Sequence, residues 1–136
     1  MLCGMATRVL SLRSWAVGRQ KSFGYAFKGL GRLYGETNAR IHAAVTLAVV
    51  ALGITLQVTP LDWTLLAIAA TGVWVAEAMN TALEALSDAA VPEHSPLIAT
   101  AKDVAAGAVL LASVGALAVG ALVLGPHLHA LVAAVR

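Results

Sequence analysis

The segment EAMNTALEALSD, residues 77–88, lies at the end of an apolar run that begins near Trp63. It contains no basic residue, and its acidic and amide side chains are Glu77, Asn80, Glu84 and Asp88. An α-helix turns by about 100° per residue, so these four side chains fall within an arc of roughly 80°. The segment therefore predicts a helix that is apolar over most of its surface and polar along one face.

The composition of the whole chain indicates a membrane protein. Its 136 residues are 60% hydrophobic and only 12% charged, with a mean hydropathy of +0.83. A soluble domain carries about 25% charged residues, and a chain this short cannot bury so much apolar surface by itself. Lipid, alone or with sister subunits, is expected to cover the rest. The single cysteine, Cys3, excludes an internal disulfide.

Three apolar runs come close to the ~20 residues that a helix needs to cross the hydrocarbon core. We expect these spans at about residues 41–58, 63–86 and 104–125. A tight turn, TPLD at 59–62, joins the first two, and a polar link, SDAAVPEHSPLIAT at 87–100, joins the last two. Because proline breaks a helix, the two prolines of this link place it outside the spans.

The predicted fold class is thus an all-α integral membrane protein, with an amphipathic surface helix before three transmembrane helices. One membrane-embedded domain is expected over 17–136, after an extension over 1–16. Helical spacing predicts the surface helix over 17–35, with Phe23, Phe27, Leu30 and Tyr34 on one side and Lys21, Lys28 and Arg32 roughly opposite. This pattern favours a helix lying in the headgroup region; packing against protein is the alternative.

The basic residues predict the orientation. Seven of the nine Lys and Arg residues fall in the first 40 positions, and the turn at 59–62 has none. By the positive-inside rule, the N-terminus is cytoplasmic and the C-terminus lies outside. The acidic end of the second span then faces the cytoplasm, in the inner cell membrane.

Charged residues on other segments are predicted to lie at the same depth in the membrane as the acidic end of the second span. Glu36 comes just before the first span, and Lys102 and Asp103 come just before the third. Carboxylates suit Mg²⁺, and phosphoryl transfer needs a metal, a cation and a group that orients or deprotonates the acceptor. Two simpler readings of the polar face remain: capping of a helix end, or hydrogen bonds between helices. The chain has no GxxxxGK[ST] loop, so a conventional nucleotide site is excluded.

Four motifs carry a resemblance to a known family. In chain order they are SFGYAFKGL (22–30), ETNARIH (36–42), EAMNTALEALSD (77–88) and PEHSPLIATAKDVAAGAVL (92–110). Over about residues 19–125 the chain resembles the small prokaryotic diacylglycerol kinases, a family that includes undecaprenol kinases. The resemblance implies a homotrimeric helical bundle with composite active sites between neighbours. Alanines spaced four apart in the third span, with glycines nearby, would also suit close helix packing.

The resemblance also implies residue roles. Glu77 would be the catalytic base that takes the proton of the lipid hydroxyl, supported by Asn80, while Glu36 and Glu84 would hold Mg²⁺. The expected contacts with the co-substrate ATP are Arg19, Tyr25, Glu36, Glu84, Asp88, Glu93, His94, Ser95, Lys102 and Asp103. Those with the lipid are Lys28, Arg40 and Glu77. No nucleic-acid partner is expected.

Alternatives remain both for the lipid acceptor and for the class of function. Either diacylglycerol or undecaprenol could be the acceptor; His42 and the segment PEHSPL are more similar to the undecaprenol-kinase branch. A different class of function is a small proton- or cation-conducting oligomer that uses Glu77, because acids inside a membrane commonly mark ion pathways. A third is a non-enzymatic assembly subunit whose polar face only binds other helices.

Overall fold

The computed structural model describes residues 19–91, 93 and 95–134. Within these ranges the chain is helical and has no strand, which confirms the predicted all-α class. The helices of these ranges are α1 (residues 19–33), α2 (Thr37–Thr55), α3 (Pro60–Ala90) and α4 (Pro96–Ala134). The predicted extension over 1–16 lies outside the described residues.

Helices α2, α3 and α4 are each long and apolar enough to cross a membrane. They contain 19, 31 and 39 residues. At 1.5 Å per residue, their lengths are about 29, 46 and 58 Å, against about 30 Å for the hydrocarbon core. Three candidate spans are therefore present, as predicted, and two of the helices are longer than a bilayer requires.

Helix α1 belongs to a compact unit that ends at Gly35, and α2–α4 form a second unit from Glu36 onward. In α1 the aromatic side chains of Phe23 and Phe27 are exposed. The Nζ atom of Lys28 lies 6.0 Å from the centroid of the Tyr25 ring, a cation–π contact within the helix. That α1 lies on the membrane surface stays a prediction.

The connection between α2 and α3 differs from the predicted turn at 59–62. The chain turns at residues 56–59, where Gln57 has a φ of +52°, and α3 begins at Pro60. Thr59 caps α3: its Oγ1 accepts a hydrogen bond from the Asp62 N–H (3.3 Å), and Asp62 Oδ2 in turn accepts one from the Thr59 N–H (2.9 Å). This capping box, with proline in the first turn, makes TPLD the start of a helix.

The predicted link at 87–100 is also shorter than expected. Helix α3 continues to Ala90 and α4 begins at Pro96, so only residues 91–95 separate them. Proline lacks an N–H group that the first turn of a helix does not need, and Pro96 therefore starts α4 where we expected it to break a helix. The α4 helix also continues through Pro126, beyond the predicted end of the third span.

Helix α3 packs mainly along α4, and α2 contacts both. A small apolar core lies near the α2–α3 connection and consists of Val58, Leu66, Val123 and Leu124. Polar contacts join α3 to α4 near both ends of this pair. His127 Nε2 lies 3.1 Å from Asp62 Oδ2 at one end, and Lys102 Nζ lies 2.9 Å from Asp88 Oδ1 at the other. These contacts fix the register of the α3–α4 hairpin.

A close approach of α2 to α3 provides a test of the packing. A Cβ atom added to Gly53 would lie 2.7 Å from Cη2 of Trp63. Because the helix and the indole would both have to shift, we expect Gly53→Ala to lower the free energy of unfolding by about 1–3 kcal/mol. Thermal unfolding in detergent micelles measures the change.

Gly72→Ala is the matched control, because among the described residues no atom outside its own stretch of helix lies within 4 Å of the added Cβ atom. Alanine is the better helix former, so this variant should be neutral or slightly stabilised. If Gly53→Ala proved as stable as Gly72→Ala, the described contact between Gly53 and Trp63 would be wrong.

Candidate active site

The polar face of α3 is turned into the helix bundle. Glu77 is 1% exposed and Asn80 6% exposed, and one turn beyond Glu84 the hydroxyl residue Ser87 is also buried. Asp88, at the end of this face, is exposed. Along this face of α3, the acidic side chains therefore change from buried at Glu77 to solvent-accessible at Asp88.

Glu77, Asn80 and Glu84 line a cavity of about 290 Å³. Its other walls come from α2 and α4, through Asn38, His42, Ala106, Val109, Leu110 and Ser113. The α2 and α3 walls are polar, whereas the α4 wall is apolar apart from one hydroxyl. An apolar chain with a polar end group would match such a cavity.

Among the described residues, two buried oxygen atoms in this cavity have no hydrogen-bond partner, Glu77 Oε2 and Asn80 Oδ1. The amide of Asn80 is oriented by its other end, since Nδ2 donates to Glu84 Oε1 at 3.0 Å. A buried acceptor without a partner costs about 1–3 kcal/mol, so such atoms are rare unless a ligand uses them. Both oxygens are available to a donor or a cation that enters the cavity.

A histidine of α2 faces the buried carboxylate. His42 Nε2 lies 3.8 Å from Glu77 Oε2, which is within the range of an ion pair but too long for a hydrogen bond. The Trp74 ring packs edge-on against the imidazole, with a centroid separation of 6.4 Å. The Trp74 Nε1–H donates to Thr46 Oγ1 at 3.2 Å, and the Thr46 hydroxyl donates to the His42 carbonyl at 2.7 Å.

The charged groups of the site are close enough to act on one another. The charges of Glu36 and Glu84 both act on Glu77, and that of Glu84 also acts on Lys102. Glu36 is the N-cap residue of α2, but its side chain makes no capping hydrogen bond. Glu36, just before α2, and Glu84 of α3 therefore lie within electrostatic range of Glu77, and Lys102 of α4 lies within range of Glu84.

The residues fit Mg²⁺ only as a partial coordination sphere. In the part of the chain that the structure describes, no group of three or more His, Cys, Asp or Glu side chains is arranged to hold a metal. The carboxylates of Glu36 and Glu84 and the unpaired oxygen of Asn80 are hard donors of the type that Mg²⁺ prefers. This ion commonly takes one or two carboxylates and completes its shell with phosphate and water.

The predicted site residues do not all line the cavity. Glu77, Asn80 and Glu84 do, and Asp88 and Lys102 form an ion pair at the end of the hairpin. The remaining predicted residues of this unit do not line it; they are Glu36, the N-cap residue of α2, and Arg40, Glu93, Ser95 and Asp103. Three predicted residues, Arg19, Tyr25 and Lys28, lie in α1, which belongs to the compact unit that ends at Gly35. His94 lies outside the described residues.

Three polar cavity residues were not predicted as site residues: Asn38, His42 and Ser113. Asn38 and His42 are four apart on α2 and thus share a helix face, a signal that was present within ETNARIH. For Ser113, a single hydroxyl in an apolar run, the sequence offers no signal.

Comparisons with known proteins agree with this arrangement. The family described as prokaryotic diacylglycerol kinase matches residues 24–124. The undecaprenol kinase of Bacillus subtilis is 34% identical over 109 residues, covering 79% of this chain and 89% of that protein. The diacylglycerol kinase of Synechocystis sp. is 35% identical over 130 residues, covering 93% of this chain and 74% of that protein.

Membrane-length helices around a cavity lined by Glu77 and Glu84, together with these matches, define a lipid kinase. The chain belongs to the prokaryotic diacylglycerol kinase family. The predicted resemblance and the predicted enzyme class are both confirmed.

Proposed function

We propose that this lipid kinase transfers the γ-phosphoryl group of ATP to the hydroxyl of a membrane lipid alcohol, in a magnesium-dependent reaction at the cytoplasmic face. The observation that carries the proposal is Glu77. Its carboxylate is buried in a membrane-length helix, lines the cavity and has an oxygen without a partner. A buried carboxylate beside a cavity is suited to take a proton from an alcohol.

In the proposed reaction, Glu77 accepts the proton of the acceptor hydroxyl. The hydroxyl oxygen forms a bond to the γ-phosphorus while the bond from that phosphorus to the β–γ bridging oxygen breaks, and ADP leaves. An alcohol is a weak nucleophile, and a positioned base contributes about 10²–10⁴-fold to such a step. The unpaired Asn80 Oδ1 lies in the same cavity and can accept a hydrogen bond from the acceptor.

The phosphate end of the site would be formed by charged groups around Glu84. Glu36 and Glu84 would hold Mg²⁺, which offsets phosphate charge when bound. The hydrogen bond from Asn80 Nδ2 keeps Glu84 in place. Lys102, which Asp88 holds at 2.9 Å, would meet the phosphates. Further ATP contacts are proposed for Arg19, Tyr25, Glu93, His94, Ser95 and Asp103.

The lipid acceptor would reach Glu77 from within the bilayer. Most large apolar side chains of α2–α4 are exposed, as expected for helices in lipid, and the α4 wall of the cavity is apolar. Lys28 and Arg40 would contact the polar part of the lipid. Both diacylglycerol and undecaprenol remain proposed acceptors, because relatives named for each are similar to this chain at 34% and 35% identity.

We further propose a homotrimer in the inner cell membrane, with a cytoplasmic N-terminus and α1 at the membrane surface. The exposed apolar surfaces of α2–α4 support an assembly in which sister subunits cover part of them. Conduction of protons or cations through Glu77 is not favoured, since the similar proteins are kinases and the acids cluster around one cavity.

The test is phosphorylation of lipid by the purified protein in mixed micelles, with labelled ATP and with undecaprenol and diacylglycerol in competition. We expect label in an extracted lipid, and loss of that label when EDTA removes Mg²⁺. Labelling of one lipid in preference to the other identifies the acceptor. No labelled lipid with either acceptor, or ion flux through liposomes without ATP, would contradict the proposal.

A further inference from the structure

The contact between His42 and Glu77 is not explained by the proposed roles. Glu77 Oε2 is a buried acceptor without a hydrogen bond, and the imidazole nitrogen opposite it is a potential donor. Both side chains line the same cavity. Their 3.8 Å separation shortens to hydrogen-bond length with a displacement of about 0.8 Å. A carboxylate that lacks a partner thus has a donor within easy reach.

The surroundings of His42 hold the imidazole in place. Its side chain is 18% exposed and packs against the edge of the Trp74 ring. Trp74 precedes Glu77 by three residues on α3 and hydrogen-bonds Thr46, whose hydroxyl in turn bonds the His42 carbonyl. Two helices therefore fix the histidine from its backbone and from its ring. Fixed geometry of this kind is what a positioned reacting group requires.

We infer that His42 is a positioning residue for phosphoryl transfer: its Nε2–H holds the Glu77 carboxylate so that one oxygen faces the acceptor hydroxyl. This inference deepens the proposed function and rests on it. His42 keeps its own proton throughout. The hydroxyl proton moves to Glu77, the hydroxyl oxygen bonds the γ-phosphorus, and the bond to the ADP oxygen breaks.

If His42 acts only through Glu77, a variant without the imidazole N–H should change turnover but not the binding of ATP. His42 lines the cavity beside Glu77, whereas Lys102 pairs with Asp88 at the end of the hairpin. Losing the donor should therefore lower kcat and leave the KM for ATP unchanged. A misplacement of about 1 Å can lower a rate by about 10²-fold, so we expect kcat to fall by about 10- to 100-fold.

A pair of variants separates the N–H group from the shape of the ring. His42→Phe keeps a ring against Trp74 but has no donor. His42→Gln places an amide N–H at a similar reach and should restore most of the kcat that His42→Phe loses. His127→Gln is the matched control, because His127 also contacts an acid of α3, at 3.1 Å, but at the other end of the helix. It should have wild-type kcat.

The experiment measures kcat and the KM for ATP for each variant, after thermal unfolding shows that the protein is folded. If His42→Phe does not fold, His42→Leu serves as the variant without a donor. The inference would be overturned if the variant without an N–H donor had wild-type kcat, or if this variant and His42→Gln lost kcat equally. It would also be overturned if only the KM for ATP changed.

Glu77→Gln, measured alongside, distinguishes this inference from the proposed function. If Glu77→Gln is inactive while His42→Phe turns over normally, only the role of His42 fails. If Glu77→Gln is fully active, Glu77 is not the base and the proposed function itself fails at that residue.

Discussion

Glu77→Gln lowers kcat by about 10²–10⁴-fold and leaves ATP binding intact, if Glu77 takes the acceptor proton. Glutamine has nearly the same shape as glutamate but cannot accept that proton at neutral pH. Since the residue is 1% exposed and one of its oxygens lacks a partner among the described residues, a neutral amide should be accommodated without loss of fold. Initial rates of lipid phosphorylation, with nucleotide binding measured separately, check the result.

Glu77→Asp is the companion variant, because it keeps the carboxylate and withdraws it by one methylene group. We expect it to retain more activity than Glu77→Gln, since a displaced base still accepts a proton. Turnover by Glu77→Gln at the wild-type rate would remove Glu77 as the base. Loss of ATP binding together with turnover would instead assign Glu77 to the phosphate end of the site.

Glu84→Gln raises the Mg²⁺ concentration needed for half-maximal activity by at least about tenfold, in the range known for changes around bound metals. Two effects act together: one carboxylate ligand is lost, and Asn80 loses the charged acceptor that receives its Nδ2–H at 3.0 Å. Because ATP carries its own metal-binding oxygens, high Mg²⁺ should restore part of the activity. Titration of activity with Mg²⁺ at fixed ATP measures the shift.

Glu84→Asp separates the loss of charge from the change of length, since it keeps a carboxylate on the same face of α3. It should require less Mg²⁺ than Glu84→Gln. An unaltered magnesium dependence in Glu84→Gln would count against Glu84 as a metal ligand. The ion pair of Lys102 and Asp88 would then serve nucleotide binding alone.

The helices could be predicted from hydropathy, but two of their ends could not. The segment TPLD is predicted as a turn and the two prolines of the 87–100 link as helix breakers, whereas Pro60 and Pro96 start helices. Proline is compatible with either role, and the neighbouring residues decide. At Pro60 the deciding signal was present: Thr59 and Asp62 have the spacing of a capping box.

One wall of the cavity could be predicted, and the other two could not. Helical periodicity alone places Glu77, Asn80 and Glu84 on a common face of α3. Which residues of α2 and α4 face them depends on how those helices are rotated and translated against α3. That depends on packing between distant segments, so His42 and Ser113 emerged as wall residues only from the structure.

The unequal lengths of the helices have a consequence for the host membrane. Helix α2 matches the hydrocarbon thickness with almost no surplus, while α3 and α4 exceed it by about 16 and 28 Å. The longer helices can tilt or project into water, whereas α2 crosses the hydrocarbon core only if it stays close to the bilayer normal. If Glu36, the N-cap residue of α2, holds the metal as proposed, the thickness of the lipid leaflets would set the height of its carboxylate relative to a headgroup-level alcohol.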